Sequence, residues 1–482
     1  MKINILEKLI WSELKSYFDI KINDIKINVS KLPDYDCSIF IPQYISDRKT
    51  LQKIFFLLKE SKTREIMFKE IVLLKYFINI KLSKFGINLI LDNTLSKFEK
   101  HFSKIVKINK KTSMFIEFGS INPVGFIHFG NLRNLLIGQT LSNFYSFLGF
   151  KVKNNYFVND EGHQVNLLMS GLKTKINSKD LNQNLYYENS INWLFKKYKE
   201  DILSLSQAKN KKKIQSKVVK YFLNEHKETL NFFNLKIDNF FFQSKIKCLE
   251  LLNFLKSSNK CMIKTNEKDK SICINWNQKI GDQIIVKSDG SFTYFFYDLC
   301  FYFKFYTKYH NSNFLVILGF DHQLYWKKII SFWNIIFQWN KIDGLVHQYV
   351  LFNNKKISKR KNSKKLVLKK LNPNYSKILL TYDNNKIINF NSIKEIELKL
   401  KFWKNSNILN QGKQVILLTK LFEYIEKVQN NKRIFLLYSY YFKLFSLLFL
   451  YKEKYYFVRQ FLNIFSFLDH QNGDDDGNRT HV

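Results

Sequence analysis

Seven of the fifteen glycines in this 482-residue chain fall between Gly119 and Gly171, and Pro123, one of only four prolines, lies among them. A backbone that concentrates glycine in one stretch needs φ angles or close approaches that a Cβ forbids. The flanking residues indicate which elements surround that stretch. Met114–Phe118 (MFIEF) is a short apolar run that reads as a strand. Leu132, Leu135, Leu136, Leu141, Phe144 and Phe147 follow at mixed three- and four-residue spacing, which predicts a helix ending at Gly149. Phe150–Val158 (FKVKNNYFV) returns as a strand. Strand, glycine-rich loop, helix and strand make a βαβ unit, the building block of a parallel, doubly wound sheet.

The pattern recurs downstream. Phe314–Leu318 (FLVIL) predicts a second strand, followed by the Gly319-Phe320-Asp321-His322 loop and a helical run. A further strand is expected at Val346–Phe352, ahead of the basic segment KKISKRKNSKK. Residues 172–275 are rich in Lys and Asn, mostly helical in pattern, and read as an insertion. Residues 1–110 alternate helical stretches with short strands such as Phe77–Leu82, beginning with an amphipathic helix rather than a signal peptide. Beyond about residue 395 the pattern becomes long apolar helices. The run 434–451 approaches membrane-spanning length, but Lys443 at its centre makes insertion costly, so a buried helix of a soluble bundle is expected. The Asp-rich end changes composition abruptly and reads as a disordered tail.

The expected architecture is therefore multidomain α/β. An N-terminal α+β module (1–110) precedes a Rossmann-like parallel-sheet catalytic domain (111–395, insertion about 172–275). A C-terminal α-helical bundle (396–470) and a tail (471–482) follow. The composition, 45% hydrophobic and 17% aromatic, can fill several cores. A formal net charge of +38 points to a polyanionic partner such as nucleic acid. The abundant Lys, Asn, Ile, Phe and Tyr also have A+T-rich codons, so charge alone does not establish that partner. Five cysteines without a C-x-x-C pair argue against a zinc site or disulfide framework and fit a reducing cytosol.

Two short elements carry candidate chemistry. In the first glycine loop, Gly130 would let backbone lie against a nucleotide, and His128 and Asn131 offer donors at a helix start that already favours phosphate. Read alone, the same residues describe a helix cap with a surface histidine. In the second, Lys356-Ile357-Ser358-Lys359, two lysines suit the charge of a departing pyrophosphate, although in so lysine-rich a chain a solvated basic run reads equally well. Tyr294 and Asp298, four apart, share a face if their stretch is helical. Tyr294 alone would pass for core filling. Gly319, Asp321, His322 and Gln323 fall where the second half of such a fold meets a nucleotide, or where a turn caps a helix.

Together and in order, the two elements resemble the HIGH and KMSKS signatures of class I aminoacyl-tRNA synthetases. The flanking residues narrow the resemblance to arginyl-tRNA synthetases. IEFGSINPVGFIHFGNLRN is similar to that family's (V/I)-E-(F/Y)-x-S-x-N-P-x-G-x-x-H-x-G-H-x-R. YFVNDEGHQV, VKSDGSFTYFFYDLCFY, LGFDHQ and FINIKLS also match family segments in order. The resemblance implies ligation of arginine to tRNA-Arg through arginyl-adenylate, with ATP as substrate accompanied by Mg²⁺. It further implies that tRNA is bound before arginine is activated efficiently. By the same resemblance His128, Asn131, Lys356 and Lys359 are catalytic, and Gly130, Gly319, Asp321, His322, Gln323 and Ser358 bind ATP. Glu117, Ser120, Asn122, Tyr294 and Asp298 bind arginine, and no protein metal site is expected. A cytoplasmic monomer without a membrane partner is the implied setting. Asn131 stands where the family has its second signature histidine, Lys361 and Asn362 stand where it has a small residue and Gly, and the C-terminal helical region is short. Another class I synthetase, or an eroded synthetase-like protein that only binds tRNA, are the alternatives.

Overall fold

The structure is a computed structural model that describes residues 5–109, 111–147, 149–177, 187–206, 211–258, 261–352, 354–356 and 388–390. They fall in two compact units, within Met1–Ile108 and within Asn109–Leu398. The run 434–451, the C-terminal helices, the tail, Ser358 and Lys359 lie outside the described residues. Among the described residues no helix is long and apolar enough to cross a membrane.

In the first unit α1 (Ile5–Leu14) buries Leu6, Ile10 and Leu14, four residues apart, as its amphipathic pattern requires. Strands β1 (Lys26–Val29) and β2 (Cys37–Phe40) precede helices α2 (Arg48–Glu60) and α3 (Lys62–Met67). Asp47 starts α2 by accepting from the Thr50 N–H at 3.0 Å. Strands β3 (Phe68–Leu74) and β4 (Phe77–Leu82) complete an antiparallel sheet of order β1-β2-β4-β3. Helix α4 (Lys84–Asn109) follows. FINIKL is the expected strand, and it sits inside the sheet with Ile78, Ile80 and Leu82 buried.

The second unit is built on the predicted βαβ. β5 (Ser113–Glu117) leads through the glycine loop into α5 (Phe129–Phe147), and the chain turns at Gly149, φ +89°, into β6 (Lys151–Val158). Helices α6 (His163–Asn177), α7 (Glu188–Ser206) and α8 (Lys211–Phe232) lead to β7 (Asn239–Phe242). After α9 (Cys248–Ser257), strands β8 (Met262–Thr265), β9 (Ile272–Asn275) and β10 (Gln283–Val286) form a small antiparallel sheet. Next come α10 (Tyr294–Tyr309), β11 (Asn313–Gly319), α11 (Gln323–Ile336), β12 (Ile342–His347), β13 (Val350–Phe352) and β14 (Lys355–Lys356).

The main sheet has order β12-β11-β5-β6-β7, and every pair is parallel. From β5 the chain builds outward through β6 and β7 on one side, then returns to add β11 and β12 on the other. The carboxyl ends of β5 and β11 therefore flank a topological switch point, where such sheets open a crevice. Phe115, Phe157, Phe314 and Val316 share one core cluster with residues of α10 and α11, including Phe301, Phe305, Phe332 and Trp333. Each fully buried ring or branched chain of this kind contributes about 1.5–3 kcal/mol.

Two expectations are corrected. Residues 172–275 are not simply a helical insertion: Asn239–Phe242 is the fifth strand of the main sheet, and β8 and β9 are strands of the small one. NFFF suits an edge strand because alternate rings find partners, Phe240 on Tyr156 (5.2 Å between centroids) and Phe241 on Phe301 (5.3 Å). The single strand expected at Val346–Phe352 is two, β12 and β13, broken at Gln348 and Tyr349. At the break the Gln348 carbonyl accepts from the buried Arg133 guanidinium at 2.8 Å.

Candidate active site

The cleft at the switch point has two connected parts by shared lining residues. An outer cleft of about 1370 Å³ is lined by Ser120, Asn122, His128, Asn131, Asn159 and Tyr294, among others. An inner cavity of about 170 Å³ is lined by Glu117, Gly130, Asp298, Tyr302, Gly319 and Tyr325, among others. Ser120, His128, Asn131, Tyr294, Asp321 and His322 line both. Glu117 is the last residue of β5 and Gly319 the last of β11, so the sheet itself delivers them to this point. Of the residues expected to bind nucleotide, Gln323 lines neither space; it is the first residue of α11. The Lys356 backbone lies in β14, paired opposite Leu351.

The inner cavity carries two buried carboxyls. Glu117, 4% exposed, accepts from the Ser120 hydroxyl and, at 3.1 Å, from the Tyr302 hydroxyl. Burial pushes its pKa up to about 7, against the lowering effect of those two hydrogen bonds. Asp298 projects from the first turns of α10 and accepts from the Tyr325 hydroxyl at 2.5 Å. Burial, followed by the charge of Glu117, raises it well above the usual carboxylate range, while Tyr325 pulls the other way. Among the described residues neither carboxyl is in an ion pair. Two desolvated carboxyls favour their neutral forms, and a cation entering the cavity would favour the ionised ones.

Tyr294 and Asp298 do share a helix, α10, whose start is capped by Thr293 accepting from the Phe296 N–H. Tyr294 stands at the mouth, 44% exposed. Its hydroxyl is tied to the loop after β5 through Asn159, whose amide donates to Asn122 Oδ1 at 2.7 Å and to the Tyr294 hydroxyl at 3.4 Å. Asn159 follows β6, so three separate strands and helices converge on one wall. Its neighbour Asp160 turns away and accepts from the Ser244 N–H (3.0 Å) and hydroxyl (2.6 Å), holding the chain just after β7.

The glycine loop ends in a reciprocal helix cap. His128 Nδ1 accepts from the Asn131 N–H at 3.3 Å, and Asn131 Oδ1 accepts from the His128 N–H at 3.5 Å. A ring whose Nδ1 accepts carries its proton on Nε2, so the cap selects the tautomer of His128. The motif caps α5, and its two side chains also line the cleft. Gly130 leaves the ring its room: a Cβ there would lie 3.2 Å from His128 Cε1 and 3.3 Å from Nδ1, so the ring would have to give by a few tenths of an ångström.

Several lining residues went unnoticed in the sequence. Asn159 sits in the NDEGHQ run at the carboxyl end of a predicted strand, which was a usable signal. Tyr302 ends the VKSDGSFTYFFYDLCFY run but was given no role there, and Tyr325 and His347 gave no signal. His347 is buried, lies 3.1 Å from Asn134 Oδ1, and is pushed down to about 3 by burial and then by the Arg133 guanidinium. It stays a neutral imidazole in the cavity wall.

Residues 91–371 match the family model described as tRNA synthetases class I (R), catalytic domain. The chain is 30% identical over 304 residues to an arginine–tRNA ligase of Mesomycoplasma hyopneumoniae, covering 59% of this chain and 55% of that one. It is 26% identical over 345 residues to an arginine–tRNA ligase of Mycoplasma mobile, covering 68% and 60%. The matched region thus spans somewhat over half the length of these curated relatives. The fold is similar to that of the arginyl-tRNA synthetase from Plasmodium falciparum, with TM-score 0.51 and 14% identity over 97% of this chain and 95% of that one.

Proposed function

The chain belongs to the class I (R) tRNA synthetases, and from that membership we infer that it ligates arginine to tRNA-Arg at the expense of ATP. The observation that supports arginine is the pair of buried carboxyls, Glu117 and Asp298, facing one small cavity beside an open cleft. A guanidinium entering that cavity would pair with Asp298, with Tyr294 at its side, while Glu117, Ser120 and Asn122 would bind the amino group and pocket wall. The arginine carboxylate would attack the α-phosphorus of ATP in line. The new O–P bond gives arginyl-adenylate, and the broken Pα–O bond releases pyrophosphate. A terminal ribose hydroxyl of tRNA then attacks the carbonyl carbon, and AMP leaves.

In this reading His128 and Asn131 donate to the phosphates from the start of α5, and Lys356 and Lys359 offset charge on the departing pyrophosphate. Gly130, Gly319, Asp321, His322, Gln323 and Ser358 border the nucleotide. Among the described residues no three His, Cys, Asp or Glu side chains converge as a metal site. Mg²⁺ would enter with ATP, bound to its phosphate oxygens and water. We assign residues 1–110 and 396–470 to tRNA contact, the latter to the anticodon, and 111–395 to catalysis, in a cytoplasmic monomer. Charging of total tRNA with labelled arginine is the direct test. Charging by another amino acid, or tRNA binding without any charging, would replace this reading.

Two further expectations arise here. Binding the two cationic groups of arginine, the guanidinium at Asp298 and the amino group at Glu117, must expel protons from carboxyls of raised pKa, so affinity is lost as pH falls, through about 7 for the Glu117 part, and gained as it rises. The arginine KM in pyrophosphate exchange, measured with tRNA between about pH 6 and 8, should fall by up to tenfold per pH unit for each proton released. Glu117→Gln should remove the part of that slope centred near pH 7. A flat profile in the parent would mean that these carboxyls do not face the substrate.

Gly130→Ala is expected to separate activity from stability. Alanine suits a helix better than glycine, by up to about 1 kcal/mol, so Tm should hold or rise. The added methyl presses on the His128 ring, and exchange should fall roughly tenfold or more. Unchanged exchange would show that the ring has room to move.

A further inference from the structure

The glycine loop between β5 and α5 is gripped from the helical layer that follows β6. His226, on α8, is fully buried, with Nε2 2.7 Å from the Gly125 carbonyl and Nδ1 2.8 Å from the Tyr156 hydroxyl. A carbonyl oxygen can only accept, so Nε2 carries the imidazole proton and Nδ1 accepts from Tyr156. Tyr156, on β6, is also fully buried, and its hydroxyl lies 3.5 Å from the Ile121 carbonyl. Its ring presses on the first residue of the loop: a Cβ on Gly119 would lie 2.1 Å from Tyr156 Cδ2. Burial raises the Tyr156 hydroxyl well above its ordinary pKa, so it remains a donor.

Apolar contacts hold the same stretch. Val124 belongs to the core cluster of α6, α7 and α8. Phe126 meets Trp193 edge-on at 5.1 Å and Phe222 at 6.2 Å. Between them, β6 and the helices α6, α7 and α8 hold the loop at Gly119, Val124, Gly125 and Phe126, and His128 follows within two residues of the last.

We propose that His226, aided by Tyr156, is a positioning residue that holds the 119–128 loop in the path that presents His128 to the cleft. The helices between β6 and β7 thereby become part of the catalytic apparatus without touching substrate. The catalytic half of this proposal rests on the functional reading above; the anchoring half does not.

The test uses the full chain with His226→Phe, which fills similar volume without hydrogen bonds, and His226→Gln, whose amide can donate to Gly125 and accept from Tyr156. Tyr156→Phe, lacking one hydroxyl, is the milder variant if His226→Phe does not fold. Two readouts are taken: pyrophosphate exchange with arginine and tRNA, and amide hydrogen exchange by mass spectrometry. His226→Phe is expected to lower kcat roughly ten- to a hundredfold, with the arginine KM within about twofold. Amide exchange should rise about tenfold in 119–128 and stay constant in α8. His226→Gln should recover most of both. Unchanged kcat, or faster exchange spread evenly over α8 with no rescue by glutamine, would make His226 a packing residue and overturn the proposal. If the parent shows no arginine-dependent exchange while the phenylalanine variant still loosens the loop selectively, the arginine reading fails and the anchor stands.

Discussion

Asp298→Asn should abolish most of the preference for arginine over citrulline, its neutral isostere. The asparagine keeps the shape and can still accept from Tyr325, so α10 and the cavity wall should be undisturbed. What it loses is the charge that answers the guanidinium. A buried cation stripped of its partner costs about 3–5 kcal/mol, so the arginine kcat/KM should fall by at least a hundredfold. Citrulline needs no counter-charge and should lose far less, which collapses the ratio between the two. ATP and tRNA affinities should stay near those of the parent. Exchange assays with both amino acids on both proteins, tRNA present, measure this directly. A ratio that survives the substitution would make Asp298 a structural acid and remove the main physical support for arginine.

His128→Ala should lower adenylate formation by roughly a hundredfold, the usual cost of about 3 kcal/mol for one preorganised donor to a developing phosphate charge. The cap adds a complication that can be turned to use. Removing the ring also removes the acceptor for the Asn131 N–H, so His128→Ala should cost about 1 kcal/mol of stability as well. Asparagine caps helices well but is shorter than histidine. His128→Asn should therefore keep the parent's Tm and still lose turnover, and tRNA binding should be intact in both variants. Near-normal turnover in the asparagine variant would confine His128 to the cap.

These contrasts mirror what could be read from the chain itself. The βαβ unit was legible because glycine is rare enough for its clustering to matter and because apolar residues recur through α5 up to Phe147. Glu117 and Asp298 were legible through the family-like segments that contain them. The partners that complete the site were not, since their roles are set across long sequence distances. Tyr302 reaches Glu117 from 185 residues away, and although it ends a family-like segment nothing local tells which group its hydroxyl meets. The strand β7 was hidden for a similar reason: four residues in an Asn- and Lys-rich stretch acquire strand character only when β6 is beside them. Asn131 looked like erosion of a signature histidine, yet its side chain closes the cap on His128. Its presence is locally consistent rather than simply a loss.

The strand order of the main sheet also governs how the protein is made. β5 is the central strand, and β6 is available to pair with it almost at once, but β11 begins about 200 residues after β5 ends. At ordinary rates of synthesis, roughly 5–20 residues per second, that leaves about 10–40 s during which one edge of β5 has no partner. Met114, Phe115 and Ile116 lie along that open edge, all apolar and all buried in the finished protein. An unpaired apolar strand of this kind is a template for pairing with other chains. Shielding of the nascent half-sheet until β11 arrives would suppress such pairing, and the crevice that becomes the active site lies at the seam that waits longest for its second strand.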